Sequence, residues 1–223
     1  MDDIIRTIAI YALPVLLAIT LHEAAHAYAA KLLGDATAYL GGRMSLNPLK
    51  HIDPFGTVVL PLVMFIASSA WMGSGFLFGY AKPVPVDFSK LRAPKRDMAW
   101  VALAGPGANL LMAFGWLVLQ LLLRPAGVTH EFAYLMASVG VSVNLIIFAI
   151  NLFPLPPLDG GHVVLSILPR RLAYHYARIE PFGFFIVLAM IPLQLLAYWT
   201  DPVMAGALYL LDKMTFPLQS LLN

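Results

Sequence analysis

The sequence has no cysteine and little charge, and each shortage excludes a class of protein. Without cysteine the chain can form neither disulfides nor thiolate metal sites, so any metal must be bound by His, Asp or Glu. Charged residues make up 12% of the chain, about half the share found in soluble domains, and the formal net charge is only +2. This balance excludes a disordered chain and a nucleic-acid-binding protein.

Apolar side chains, by contrast, are abundant. Hydrophobic residues make up 60% of the 223 residues, and the mean hydropathy is +0.79. A typical soluble domain is about 45–50% apolar. The length allows roughly five or six membrane segments of about 20 residues each. We therefore predict an all-α polytopic membrane protein, a single domain over residues 1–223, with the lipid bilayer as its surroundings and no nucleic acid as partner.

Five apolar stretches are predicted to be membrane segments, and a sixth is shorter. The sixth, Pro202–Leu211, is followed by Asp212 and Lys213, which predicts a half-span or an interfacial helix. The five longer stretches are Thr7–Ala30, Thr57–Phe78, Met98–Leu123, Ala133–Phe153 and Phe182–Trp199.

The first apolar stretch carries the motif His22-Glu23-Ala-Ala-His26. Residues four apart share one face of a helix, so the two imidazoles can bind one zinc ion. Glu23 lies about 100° round the helix, where it can serve as the base for a zinc-activated water. Because polar side chains inside a membrane helix are costly without partners, the motif is more specific here than in a soluble chain. The alternative is a polar patch that packs against other helices without metal.

A catalytic zinc site needs a third protein ligand and an open position. Asp159 is preferred because it ends an apolar stretch and follows Pro154-Leu-Pro-Pro157, where a regular helix cannot continue. The alternative for Asp159 is the N-cap of a helix that begins near His162. His162 itself could lie just outside the metal site, but we prefer the interpretation that it is an ordinary residue with no role there. The remaining histidines lie in polar connectors and are predicted to be solvent-exposed: His51, His130 and His175.

Three motifs occur together in this chain: His22-Glu-Ala-Ala-His26, Ala104-Gly-Pro-Gly-Ala-Asn109, and Asn151-Leu-Phe-Pro-Leu-Pro-Pro-Leu-Asp159-Gly-Gly. Together they resemble the site-2 protease family of intramembrane zinc metalloproteases, peptidase family M50, in its compact prokaryotic branch without PDZ or CBS domains. The resemblance runs from Thr7 to Leu168. It implies one zinc ion per chain, bound by His22, His26 and Asp159, with Glu23 as general base.

The resemblance also implies roles for two asparagines. Asn151 matches the asparagine that holds the substrate backbone or the oxyanion, and Asn109 falls on the family's helix-packing motif near the site. For both, the alternative is interhelical hydrogen bonding that holds the bundle together, and for Asn109 we prefer it. Asn144 is a further intramembrane amide without an assigned role. The implied partners are the transmembrane segments of membrane-protein substrates, in which the enzyme hydrolyses peptide bonds.

The middle of the chain departs from the family. Better-known members join the two helices by a short re-entrant β element, whereas here the long connection includes Thr57–Phe78. One zinc ion requires ligands at one membrane depth, so an even number of crossings must separate His26 from Asp159. We therefore predict that Thr57–Phe78 is re-entrant, and that Phe76–Val86 is either an edge strand that accepts substrate or a plain loop.

Lys and Arg predict the orientation in the cell membrane. With two crossings between the zinc ligands, the side that bears the site collects all of the 14 Lys and Arg residues except Arg6, Arg124 and Lys213. The positive-inside rule then places the site toward the cytoplasm.

Two other functions stay open at this point. A membrane metal transporter or metal-handling protein could use the same His and Asp cluster, although transporters typically carry internal repeats, and this sequence has none that we detect. A pseudoprotease would bind helices without cutting them, and the intact Glu23 argues against it.

Overall fold

A computed structural model describes residues 2–60, 63, 82–123 and 131–222, and this part of the chain is helical with no β-strand. Short turns of 3₁₀-helix lie at Pro48–Lys50 and Phe88–Lys90, and a π-helical turn lies at Pro54–Val59. The all-α prediction is therefore confirmed for the described residues. The α-helices are α1 (Asp2–Leu32), α2 (Thr37–Leu40), α3 (Pro94–Leu123), α4 (Glu131–Asn151), α5 (Asp159–Ile167), α6 (Arg170–Ala177), α7 (Glu180–Met190) and α8 (Ala197–Leu222).

Three helices in the described ranges are long and apolar enough to cross a membrane, namely Ile5–Leu32 within α1, α3 and α4. Large apolar side chains such as Ile8 and Leu111 are exposed on them, while alanines line their buried faces. This arrangement is expected where lipid is the solvent, because small residues let helices approach closely. The predicted total of five or six membrane segments stays a prediction.

The three long helices form the centre of the molecule, with α3 packed against both α1 and α4. Arg6 near the start of α1 pairs with Glu131 at the start of α4 at 2.7 Å, so these two helices begin at the same end. The core between α3, α4 and α8 is apolar and consists of Ala113, Val141, Leu145, Ala207 and Leu211. The opposite end, where α1 finishes, holds the polar motifs.

The C-terminal region differs from its prediction in two places. The predicted segment Phe182–Trp199 is broken, because α7 ends at Met190, Pro192 follows, and α8 begins only at Ala197. Pro202–Leu211 is not a short half-span but part of α8, which has 26 residues. The helix passes Asp212 because polar side chains bond along its own surface, as when the Gln219 amide donates to Asp212 at 2.9 Å.

The turn that follows α1 and the segment 82–92 meet at the end of α1, and Asp35 connects them. Its buried carboxylate accepts hydrogen bonds from the backbone N–H of Thr37 at 2.9 Å and of Asp87 at 2.7 Å. Burial acts to raise the pKa of Asp35, but hydrogen bonds from the Thr37 hydroxyl and these two N–H groups outweigh it and lower the pKa. Arg92 N–H also donates to the Leu33 carbonyl at 2.9 Å, so residues 82–92 are tied to the end of α1.

The predicted re-entrant stretch Thr57–Phe78 lies mostly outside the described residues, as do residues 76–81 of the predicted edge strand. Residues 82–86 are described and form no strand. The flanks of the undescribed part are close together, because Lys82 N–H donates to the His51 carbonyl at 2.9 Å. Arg43 joins the same two flanks by donating to the carbonyls of Lys50 and Lys82. The two flanks of the predicted re-entrant stretch therefore lie next to each other, and the re-entrant path itself stays a prediction.

Candidate metal centre

Three side chains predicted to bind metal lie together where α1 meets the start of α5. His22 and His26 project from one face of α1, and Asp159 is the first residue of α5. The two histidine Nε2 atoms are 3.1 Å apart, and each lies 3.3 Å from an oxygen of Asp159. All three side chains are largely buried, with 8%, 11% and 15% of their surfaces exposed.

The outer nitrogen of each imidazole faces an acceptor. His22 Nδ1 lies 2.6 Å from the side-chain oxygen of Asn109, and His26 Nδ1 lies 2.8 Å from the Val101 carbonyl oxygen. Neither acceptor can donate, so each Nδ1 must carry the ring proton. When the rings are neutral, both Nε2 atoms therefore present lone pairs to each other and to Asp159, with no hydrogen between them to make these contacts favourable. A bound cation would resolve the repulsion.

The donor set fits zinc. A tetrahedral zinc ion with bonds of about 2.0–2.1 Å places its ligand atoms roughly 3.3 Å apart. The two Nε2 atoms are 3.1 Å apart, and each lies 3.3 Å from a different oxygen of Asp159, so small shifts would bring one atom of each residue onto a shared ion. Asp159 Oδ2 is buried and receives no hydrogen bond from any described residue. Two neutral imidazoles with hydrogen-bonded outer nitrogens and one carboxylate match a catalytic zinc site, in which a fourth position stays open.

The loop before α5 aims Asp159 at the histidines. α4 ends at Asn151, and residues 152–158 turn back before α5 begins. This turn needs glycine at both positions after Asp159, because a Cβ on Gly160 or Gly161 would lie 2.3 Å from the loop backbone. The alternative that Asp159 is a helix N-cap is wrong, since Leu158 occupies the cap position.

Glycine is also required where α3 passes the two imidazoles. A Cβ built on Gly105 would lie 2.3 Å from His26 Nε2 and 2.7 Å from His22 Cε1. Any side chain at position 105 would therefore push against the atoms that face Asp159. The absence of a side chain there lets α3 pack directly on the site.

Glu23 follows His22 on α1 and is half-buried. Its Oε2 accepts a hydrogen bond from the backbone N–H of Val84 at 2.8 Å. Val84 stands between Pro83 and Pro85, neither of which has an N–H group. The only backbone donor in this three-residue segment is thus used to hold the Glu23 carboxylate.

Comparison with known proteins agrees with this site. YwhC of Bacillus subtilis, a protein named as a zinc metalloprotease, is 36% identical over 187 residues, which cover 81% of this chain and 80% of YwhC. The model of peptidase family M50 matches residues 126–193, a region that includes Asp159 but not the histidine pair. The chain belongs to peptidase family M50. Rip2 of Mycolicibacterium smegmatis, also named as a zinc metalloprotease, is 30% identical over 191 residues, covering 82% of this chain and 67% of Rip2. No solved structure matches the chain.

As a member of family M50, this chain is a zinc metalloprotease of a membrane-embedded family. The names of the relatives imply zinc, and the structure brings together a group of side chains able to hold it. These observations favour a metalloprotease over the metal transporter considered from the sequence. The roles of individual residues remain predictions.

The structure places the other predicted residues of this M50 chain as follows. Asn109 does more than pack helices, because it hydrogen-bonds His22 directly. The Asn151 amide donates to the Ile147 carbonyl of its own helix at 2.9 Å, and its proposed role with substrate stays a prediction. The His162 ring packs against Phe88 with ring centroids 5.1 Å apart and a tilt of 37° between the ring planes.

The remaining histidines divide. His175 is exposed as predicted, and His130 lies outside the described residues. The prediction for His51 is wrong, because its side chain is buried, with 2% of the residue exposed. Burial is possible because its Nε2 lies 2.8 Å from the Ser45 carbonyl oxygen, which provides a hydrogen-bond partner within the folded loop.

Sequence reasoning missed three residues around the site: Gly105, Val84 and Asn144. Asn144 is fully buried, and its side-chain oxygen accepts from the Asn109 amide at 3.0 Å. An amide in the middle of an apolar helix was a signal of some buried partner. Nothing in the sequence signalled the Val84 contact, because it depends on where a distant loop folds.

Proposed function

We propose that this chain is an intramembrane zinc metalloendopeptidase that hydrolyses peptide bonds within or near transmembrane segments of membrane proteins. The observation that carries the proposal is the convergence of the His22 and His26 Nε2 lone pairs with the buried Asp159 carboxylate. Glu23 adjoins this cluster on the same helix, which adds the base that hydrolysis requires. A metal-handling protein has no need of that base.

In this proposal His22, His26 and Asp159 hold one zinc ion per chain, which supplies Lewis acidity to the scissile carbonyl and to a water molecule. Glu23 accepts a proton from the water as the water oxygen adds to the carbonyl carbon. The same proton then passes to the peptide nitrogen as the C–N bond breaks. Because Oε2 is held by the Val84 N–H, Oε1 is the oxygen free to carry the proton.

A transmembrane helix hides its carbonyls in its own hydrogen bonds, so a substrate must unwind before it can be cut. The segment 82–87 beside Glu23 has no regular secondary structure; Glu23 fixes it to α1, and Asp35 fixes it to the turn that follows α1. We propose that the unwound substrate lies along this segment, and that Asn151 contributes to holding its backbone or the oxyanion.

The proposed orientation places the site toward the cytoplasm, with the chain in the cell membrane. α1 finishes, α3 begins and α5 begins around the site, while the Arg6–Glu131 pair marks the opposite end. Basic residues of the described segments lie near the end of the molecule that holds the site, and they support this orientation by the positive-inside rule. They are Lys31, Arg43, Lys50, Lys82, Lys90, Arg92, Lys95 and Arg96.

The test compares wild type with Glu23→Gln and Asp159→Ala, all purified in detergent and reconstituted in vesicles. Glu23→Gln should keep about one zinc per chain but lose about 10²–10⁴-fold in cleavage of single-span membrane peptides. Asp159→Ala should lose zinc while it stays folded. Cleavage by Glu23→Gln at the wild-type rate would refute the mechanism. Full zinc retention by Asp159→Ala would refute the ligand assignment.

Substrates can be sought in the same comparison. Membranes from cells that express wild type or Glu23→Gln should differ in a small set of membrane proteins, which accumulate uncut with the variant. If wild type and Glu23→Gln instead altered metal uptake into sealed vesicles to the same extent and neither cleaved any protein, metal transport would be the better assignment.

A further inference from the structure

We propose that Asn109 and Asn144 are positioning residues that fix the orientation and tautomer of His22, so that its Nε2 lone pair points into the metal site. The inference rests on the proposed zinc function and adds two residues to it. Asn109 lies in α3 and Asn144 in α4, and both side chains are fully buried. They link His22 to the backbone of α4 through a chain of directed hydrogen bonds.

The direction of the Asn109 amide follows from its neighbours. Its nitrogen lies 3.3 Å from the Ala18 carbonyl oxygen and 3.0 Å from the side-chain oxygen of Asn144. Both neighbours accept hydrogen bonds there, so the amide nitrogen must face them. The Asn109 oxygen is thereby left toward His22 Nδ1, at 2.6 Å.

Asn144 has its direction fixed in turn by α4. Its amide nitrogen donates to the Gly140 carbonyl at 2.8 Å, one turn earlier on the helix. A backbone carbonyl can only accept, so the Asn144 oxygen has to face Asn109. The polarity thus runs in one sense from Gly140 through both amides to the imidazole.

This polarity determines which nitrogen of His22 can bind metal. With an acceptor at Nδ1, the neutral ring carries its proton there and leaves Nε2 free to coordinate. If the Asn109 amide rotated by half a turn, its NH₂ group would face Nδ1 and would favour the proton on Nε2, which then could not bind a metal. Asn144 opposes that rotation, because a turned amide would set two oxygens against each other.

Interhelical packing alone would not need this direction. Amides can hold membrane helices together through any interhelical hydrogen bond, and that role does not require the Asn109 oxygen to face an imidazole nitrogen. A packing role predicts that an apolar replacement weakens the bundle and leaves zinc affinity unchanged. A positioning role predicts that zinc affinity falls in a correctly folded protein.

The test measures zinc affinity by competition with a chelator, on full-length protein in detergent. Asn109→Leu fills a similar volume without the acceptor and should weaken zinc binding about 10–100-fold, the usual effect of losing a partner of a metal ligand. Asn109→Asp keeps an acceptor for Nδ1 but sets a second oxygen against the Ala18 carbonyl and the Asn144 oxygen, so its loss of zinc affinity should be smaller than that of Asn109→Leu without reaching the wild-type value. Asn144→Leu should give an intermediate loss. Ser142→Ala removes an exposed hydrogen bond to Ser138 on the same helix and should change nothing.

Folding is checked by circular dichroism and size-exclusion chromatography of the metal-free variants. A folded leucine variant of either asparagine with wild-type zinc affinity would overturn the inference, as would equal losses in Asn109→Asp and Asn109→Leu. A wild-type chain that binds no zinc would instead refute the proposed function, which separates the two failures.

One measurement needs no variant and therefore holds even if both leucine variants fail to fold. NMR of ¹⁵N-histidine in metal-free wild type, at a pH where the rings are neutral, should show His22 with its proton on Nδ1. A proton on Nε2 would overturn the inference.

Discussion

Replacing Gly105 with alanine tests the packing of α3 on the metal site more sharply than loss of a ligand would. The new methyl carbon would lie 2.3 Å from His26 Nε2, whereas ordinary contact begins at 3.4 Å, so 1.1 Å of overlap must be relieved. Zinc–ligand distances tolerate about ±0.2 Å. The imidazoles must therefore leave the positions from which they can share a metal ion with Asp159.

We expect Gly105→Ala to lower zinc affinity about 100-fold or more, beyond the usual effect of losing a neighbour of a ligand. The change removes no ligand and adds no charge. Zinc content by mass spectrometry and affinity by chelator competition measure it directly, and circular dichroism checks that the helices persist.

The same helix offers matched controls. A Cβ on Gly107 or Gly115 would meet nothing within 4 Å, so alanine at either position should keep wild-type zinc affinity. Alanine is favoured over glycine in a helix by about 0.8–1.0 kcal/mol, so these controls should not weaken the fold. If Gly105→Ala also bound zinc like wild type, α3 would not pack on the histidines in the manner described, and the metal site would need to be rebuilt.

Three further predictions test the surroundings of the site. Val84→Pro removes the N–H that holds Glu23, the proposed general base, and should lower kcat about tenfold at full zinc content, as expected for one hydrogen bond to a charged group. Val84→Ala keeps the N–H and should keep the wild-type kcat. Asp35→Ala should lower the melting temperature at neutral pH, and the gap from wild type should close below about pH 4, because a lowered carboxylate pKa stabilises the fold only while the group is ionised; a gap that persists at acid pH would contradict this. Cysteines placed at Lys50 and Lys90 of this cysteine-free chain should react with an impermeant thiol reagent from one membrane face, and a cysteine at Glu131 from the other; labelling of Lys50 and Lys90 from opposite faces would mean that Thr57–Phe78 is a true crossing.

The sequence predicted those parts of the site that depend on local spacing or on the cost of burying charge. His22 and His26 are one helical turn apart, so their shared face follows from helix geometry alone. Asp159 could be chosen because an acidic side chain at the edge of an apolar stretch is costly without a partner. Both inferences use only short-range chemistry, and the structure brings all three side chains together.

The parts that failed depend on register between distant segments or on weak local signals. The partner of Asn109 is 87 positions away, and helical periodicity cannot fix how far α3 slides along α1. The break between α7 and α8 was missed because the stretch from Phe182 to Trp199 is apolar except for Gln194, and hydropathy alone does not detect the turn after Pro192. The burial of His51 follows from a loop closure that composition does not predict.

His22 and His26 occupy equivalent positions in the motif, but different groups hold their outer nitrogens. This difference determines which histidine can be perturbed by substituting its hydrogen-bond partner. The outer nitrogen of His26 is held by the Val101 carbonyl, a backbone group that any residue at position 101 would provide. The outer nitrogen of His22 is held by the Asn109 side chain, whose direction in turn depends on Asn144. Changes at these two asparagines should therefore act on the metal site through His22, while His26 keeps its tautomer as long as α1 and α3 stay packed.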